Sequence, residues 1–341
     1  MENLFLKALR SLFAKPDPAP SEDPQGPSPV EESGMIDLPA ERFENVPSPF
    51  CGIASDDLTL EVRGVDVRVV ANGDRITQKG FESPVTDRNP MIQGREVSLE
   101  EAIAHAAGLL KASKLPVFSG FGTDVNETRA AFSLIDRSRG VFDQMNARAG
   151  LRNLLVLADS GWMATTLAEL KNRADVLVLF GSDPEGPFPR FFERFVWPSE
   201  TLFGQDVAQR QVIFLGRAPS GSQATAPDGR APEVHTCDPE AYPLIAGALA
   251  ALANGIELKA DSVGGISMAV LQSIIDRLKA AQYGVVSWAA GQLDFEHAEL
   301  TVQRLTKAIV ALNATTRCVG LPLGGQDGDR TASQVSAWLS G

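Results

Sequence analysis

A lone thiol ahead of paired carboxylates is the first feature that could do chemistry: Cys51 precedes Asp56 and Asp57 in PFCGIASDDLTLEV. A cysteine in a glycine-containing turn can ligate a metal, attack as a nucleophile or simply fill space. The remaining candidates are sparse, namely Cys237, Cys318, His105, His235 and His297. His235 stands two residues before Cys237 on an expected strand, so the pair shares one strand face, but no third group is placed to orient the imidazole. His105 falls on an amphipathic stretch and is expected to be partly buried packing. His297 is expected at the surface. No GxSxG, HExxH or P-loop motif occurs.

Simple counts exclude several classes of function. An ordinary four-cysteine iron–sulfur cluster needs more than the three cysteines present. These are widely spaced, odd in number and free of CxxC, which gives neither a disulfide framework nor a zinc-type ligand pair. A net charge of -12 repels nucleic acid and anionic lipid, so neither is expected as a partner. No apolar run reaches membrane-span length. The opening MENLFLKALRSLFAK is broken by Lys7 and Arg10 and has no small-residue cleavage site, which reads as cytoplasmic.

The 341 residues allow two or three compact units to hold these groups. Leu4, Phe5, Ala8, Leu9, Leu12 and Phe13 recur at helical spacing, followed by the Pro-rich acidic linker PDPAPSEDPQGPSPVEE. This stretch, residues 1–34, either docks on a partner or frays. Residues 35–95 read as a small β-rich segment, 96–262 as a first α/β unit and 263–341 as a second. DDLTLEVRGVDVRVVANG predicts two strands about Arg63-Gly64. SLEEAIAHAAGLLKAS predicts a helix opened by a Ser98/Glu101 capping box. Beyond it, LPVFSG predicts a buried strand, DVNETRAAFSLIDRSRG a helix ended by Gly140, NLLVLADSG a strand and residues 162–172 a helix. The strands ADVLVLFG, RQVIFLG, YGVVSW and TRCVGLP then alternate with helices, which predicts parallel sheets with helices on both faces.

Two loops lie where ligands gather at strand ends. Ser119–Asn126 contains Gly120 and Gly122 but no third glycine, which suits a tight strand-to-helix turn better than a dinucleotide fingerprint. The loop from Gly181 to Gly186 presents Asp183 and Glu185, whose charge disfavours phosphate; Asp183 before Pro184 also suits a turn. PRFFERFVW, from Pro189 to Trp197, interleaves aromatics with Arg190 and Arg194, predicting part core and part subunit contact.

The order of CGIASDDLTLEV, PVFSGFGTDVNETRAAF, VLFGSDPEGPFPRFFERF and LNATTRCVGLPLGGQDGDRTASQVSAWLSG resembles that of the B subunit of formylmethanofuran dehydrogenases, which are molybdopterin oxidoreductases. The resemblance covers most of the chain after Pro49. It implies an α/β, Rossmann-like fold of parallel sheets with flanking helices, behind a vestigial iron–sulfur region, ending at Gly341 short of the family's C-terminal region. Against the family pattern, Ser55 stands where another cluster cysteine is expected, and Asn126 where a cysteine ligates molybdenum or tungsten. A neutral carboxamide does not replace a thiolate at such a metal. Gly181-Ser182-Asp183-Pro184 replaces a Gly-x-Asn-Pro turn, Gly216-Arg217 replaces the acidic residue for the guanosine, and Gln326 replaces a histidine.

Together these departures imply a degenerate, non-catalytic subunit with no catalytic, cofactor-binding or metal residues and no cofactor of its own. Cys51 is then a buried leftover, and Asp56 and Asp57 shape the turn into the strand. Such a protein is similar to the B subunits of bacterial formyltransferase/hydrolase complexes. That similarity implies an amidohydrolase-like A subunit, a C subunit and a formyltransferase D subunit as partners. It also implies transfer of a formyl group from tetrahydromethanopterin to methanofuran or methylofuran, then hydrolysis to formate, with the chemistry in A and D. The competing expectation is an active molybdopterin- or nucleotide-binding oxidoreductase, its ligand near Gly120, Gly122 and Gly181. A third, storage of the furan cofactor with its glutamate-rich tail, is opposed by the net charge.

Overall fold

The computed structural model describes residues 39–53, 55–83, 89–325 and 328–341. The N-terminal stripe, its linker up to residue 38 and Gln326 lie outside the described residues.

Three strands, β1 (Glu41–Val46), β2 (Leu58–Arg63) and β3 (Asp66–Ala71), form an antiparallel sheet. The turn between β2 and β3 falls at Gly64, whose φ of 62° suits glycine. Helix α1 (Arg75–Glu82) follows; the Asp74 side chain caps it by accepting from the Ile76 and Thr77 amides. After the short hairpin β4 (Met91–Ile92) and β5 (Arg95–Glu96) comes α2 (Leu99–Ala112), with Ser98 Oγ accepting from Glu101 N as expected. None of α2 is buried, and His105 is exposed rather than packed.

Strand β6 (Val117–Phe121) pairs in parallel with β7 (Val141–Gln144), joined by α3 (Val125–Ser138). The strand expected to be buried is not: Val117 is 65% exposed. A larger correction falls on NLLVLADSG, which lies within helix α4 (Ala147–Asp159) and the turn after it. Five consecutive apolar residues fit a strand as well as a helix. Here the helical reading wins, because Arg152 and Val156, four apart, are the buried pair. The helix expected over 162–172 begins later, as α5 (Leu167–Arg173), capped by Thr166.

The remaining elements build one parallel sheet. In chain order they are β8 (Val176–Phe180), β9 (Gln211–Gly216), β10 (Glu233–Thr236), α6 (Tyr242–Ala253), the hairpin β11 (Ser262–Val263) and β12 (Ile266–Ser267), and α7 (Met268–Ala280). Then come β13 (Gly284–Ala289), α8 (Ala298–Leu312), β14 (Cys318–Leu323) and α9 (Asp329–Ser340). The strand order is β10-β9-β8-β13-β14, all parallel. Strands from either side of residue 262 thus share one sheet.

Strand β8 shows why it lies at the centre. Every residue is buried, with Val176, Val178 and Phe180 packing on one side and Leu177 and Leu179 on the other. The first face receives α6, α7 and α8; the second receives Leu170 of α5 with Phe188, Phe191 and Phe192. Behind those aromatics, the buried Arg210 donates to the carbonyls of Lys171, Ala174, Phe195 and Val196. One guanidinium therefore satisfies the carbonyl ends of α5 and of the π-helical turn Phe192–Val196. Burial pushes its pKa down to about 10.

Candidate functional site

From β8 the chain runs outward through β9 and β10, then returns to the other side of β8 for β13 and β14. The reversal between β8 and β13 is the crevice where open α/β sheets bind nucleotides. In this chain its walls are joined. Gln292, just past β13, accepts from Asp183 N at 2.7 Å and donates to Asp183 O at 2.9 Å. The Asp183 carboxylate accepts from Glu185 N at 3.0 Å and Ser220 N at 3.1 Å. Glu185 accepts from Ala224 N at 2.8 Å, and burial pushes its pKa up. Both acids at the end of β8 thus bind the loop after β9 instead of facing a ligand.

Tyr242 closes the floor. A Cβ at Gly181 would sit 2.8 Å from its ring, and so would a Cβ at Gly216. The glycines at the ends of β8 and β9 let the tyrosine ring approach this closely. Ser182 Oγ, between them, is buried without a hydrogen-bond partner among the described residues. It exposes no surface to a ligand.

The paired carboxylates are both engaged in ion pairs. Asp57 forms a two-pronged pair with the buried Arg190, at 2.5 and 3.1 Å, and Arg190 also binds Glu193 and the Asn72 carbonyl. Asp56 pairs with Arg194 at 3.1 Å. The Arg190 hydrogen bond holds the Asp57 carboxyl below the usual carboxylate range. These pairs fasten the antiparallel sheet to the aromatic segment, so the arginines expected at a subunit contact are engaged within the chain.

Ser55, in the expected cluster position, is buried and donates to Asp74 Oδ2 at 2.8 Å, supporting the cap of α1. Burial raises the Asp74 pKa, and the bonds from Thr77 and Ser55 more than reverse this. Cys51 is buried with its Sγ 3.2 Å from Ile53 O. Burial pushes the Cys237 thiol up to about 11 and the Cys318 thiol up to about 12, which leaves both protonated at neutral pH.

His235 bonds Glu233 at 2.6 Å, and Glu233 receives a fork from Arg277 that lowers its pKa to about 2. The histidine is thereby tied to a carboxylate rather than poised on Cys237. His297 is exposed and bonds Glu299. Asn126 is exposed in the first turn of α3. Near it, Gly328 packs on Thr123, where a Cβ would lie 2.7 Å from the amide nitrogen.

A cleft of about 890 Å³ opens beside the closed crevice. Its walls include Leu151, Leu154 and Leu157 of α4, Trp162, Phe188 and Arg330. On the inner side of α4, Arg152 donates to Ala290 O and Asp294, and Asn153 accepts from Trp288 Nε1.

No protein-family model matches the chain. Three curated proteins do resemble it. It is 28% identical over 312 residues to the B subunit of the tungsten-containing formylmethanofuran dehydrogenase 2 of Methanococcus maripaludis, covering 88% of this chain and 71% of that one. It is 26% identical over 308 residues to the corresponding protein of Methanocaldococcus jannaschii, covering 87% and 70%. It is 30% identical over 251 residues to the B subunit of the formyltransferase/hydrolase complex of Methylorubrum extorquens, covering 73% and 63%. The chain is a relative of these B subunits.

Among solved structures, a chain of the M. extorquens formyltransferase/hydrolase complex, crystallised with methylofuran, superposes with a TM-score of 0.58 at 27% identity. The match covers 73% of this chain and 64% of that one. The two M. extorquens matches thus each span just under two thirds of the longer relative.

The residues at the reversal of strand order offer no metal ligands for the molybdopterin group implied by the dehydrogenase B subunits. Gln292, Tyr242 and the loop through Ser220 and Ala224 bond or pack at the end of β8, and no three Cys, His, Asp or Glu residues among those described form a metal-binding group. Gln292 and Tyr242 carried no motif signal in the sequence. Their positions after β13 and at the start of α6 become informative only once the strand order is known.

Proposed function

We infer that this chain is a non-catalytic structural B subunit of a cytoplasmic formyltransferase/hydrolase complex. It assembles with an amidohydrolase-like A subunit, a C subunit and a formyltransferase D subunit. The complex moves a formyl group from tetrahydromethanopterin to methanofuran or methylofuran and releases formate, with the chemistry in the A and D subunits. The observation that carries this reading is the Gln292–Asp183 clasp, which joins the loops after β8 and β13 at the reversal of strand order. The similarity to the M. extorquens B subunit supports the choice of complex.

Co-expression with the three other subunits tests the reading. All four chains are expected to co-purify, with metal analysis finding no molybdenum or tungsten stoichiometric with this chain. Failure to co-purify, or one such metal per chain, would overturn it.

A further inference from the structure

Helix α4 is inverted in polarity. It buries Arg152, 6% exposed, and turns Leu151, Leu154 and Leu157, spaced three apart, outward at roughly half exposure or more, with Leu154 57% exposed. These three leucines join Trp162 and Pro187 along the cleft. Contiguous exposed apolar surface of this kind marks a binding face. Leaving it in water forgoes about 25 cal/mol for each Å² that could be covered.

The chain carries a matching stripe of its own. Leu4, Phe5, Leu9, Leu12 and Phe13 recur at helical spacing in residues 1–13. The described chain starts at residue 39, next to β1, and the unit built on β1 reaches the cleft. Ile76 of α1 lines it, and Arg75 donates to the carbonyl of Gly186, another of its residues. Residues 16–38 span about 75 Å when extended, at about 3.3 Å each. Helix α4 is only about 20 Å long at 1.5 Å per residue. A tether of this length holds the stripe at up to about millimolar effective concentration. At that concentration it outcompetes a dilute second copy or a free partner helix of similar affinity.

We propose that residues 1–13 dock in cis along α4 and fill the cleft with their apolar stripe. Gln292 borders this cleft as well as the crevice, and the occupancy is tested by contact with α4 rather than by what the crevice holds.

Two double variants of the full chain, in a Cys237→Ser background, test the contact: L9C/L154C and K7C/L154C. Lys7 lies off the stripe, so mild oxidation is expected to form an intrachain disulfide several-fold faster in the first. Equal rates, or a disulfide joining two chains, overturn the proposal; the latter assigns the cleft to a second copy. Hydrogen exchange covers the case in which these variants misfold. Deleting residues 1–34 is expected to speed amide exchange across residues 147–159 in the isolated chain. Unchanged exchange overturns the proposal, as does protection of α4 that appears only when other subunits are added.

Discussion

Gln292 holds both backbone polar groups of Asp183, accepting from its amide at 2.7 Å and donating to its carbonyl at 2.9 Å. One side-chain amide thus joins the loop after β13 to the loop after β8 across the reversal of strand order. Substituting Gln292→Ala leaves both groups without their partner. The expected loss is about 2–3 kcal/mol, from two hydrogen bonds and the desolvation left uncompensated. Urea unfolding measures it, and an unchanged midpoint would contradict the clasp.

Asp57→Asn removes the counter-charge from Arg190, which stays buried. The expected cost is about 3 kcal/mol, the scale for breaking one side of a buried ion pair, reduced here by the remaining Glu193 contact. Because the pair ties the antiparallel sheet to the aromatic segment, limited proteolysis between residues 39 and 83 should quicken in the same variant. Wild-type cleavage rates would assign Asp57 no fastening role.

Acid dependence follows from two lowered carboxyls. Arg190 lowers Asp57, and Arg277 lowers Glu233 to about 2. Each binds its proton more weakly when folded. Their stabilisation is therefore full above the ordinary values of about 4 and is lost as pH falls through the folded ones. Burial makes Glu185 run the other way, so its contribution weakens as pH climbs past its ordinary value. The urea midpoint should fall steeply from pH 4 toward pH 2, and less steeply in Asp57→Asn. Equal slopes in the two proteins would contradict the Asp57 contribution.

The thiols should be inert. With Cys237 at about 11, only about one part in a thousand is thiolate at pH 8, and Cys318 at about 12 has less. Iodoacetamide at pH 8 should label the native chain far more slowly than free cysteine, and label all three cysteines once it is denatured. Rapid native labelling of Cys237 or Cys318 would show an activated thiol.

Much of the sheet was legible because β8, β9, β13 and β14 are short apolar runs bounded by glycine or polar turns. Strand β1 and helix α1 were not, since ERFENV exposes all but one residue and α1 depends on the distant Ser55 to support its cap. Helix α4 reads as a strand because its leucines face outward, so their periodicity reports a surface rather than the core. The ion pairs of Asp56 and Asp57 were not legible, because their partners are more than 130 residues away and only folding brings them together. The losses at Ser55 and Asn126 were visible as substitutions. The contacts of Gln292 and Tyr242 at the end of β8, made from separate elements, were not.

Small molecules released on denaturing the purified complex test the central claim most directly. Mass spectrometry should find no pterin or guanosine nucleotide stoichiometric with this chain. One nucleotide per chain would contradict the account.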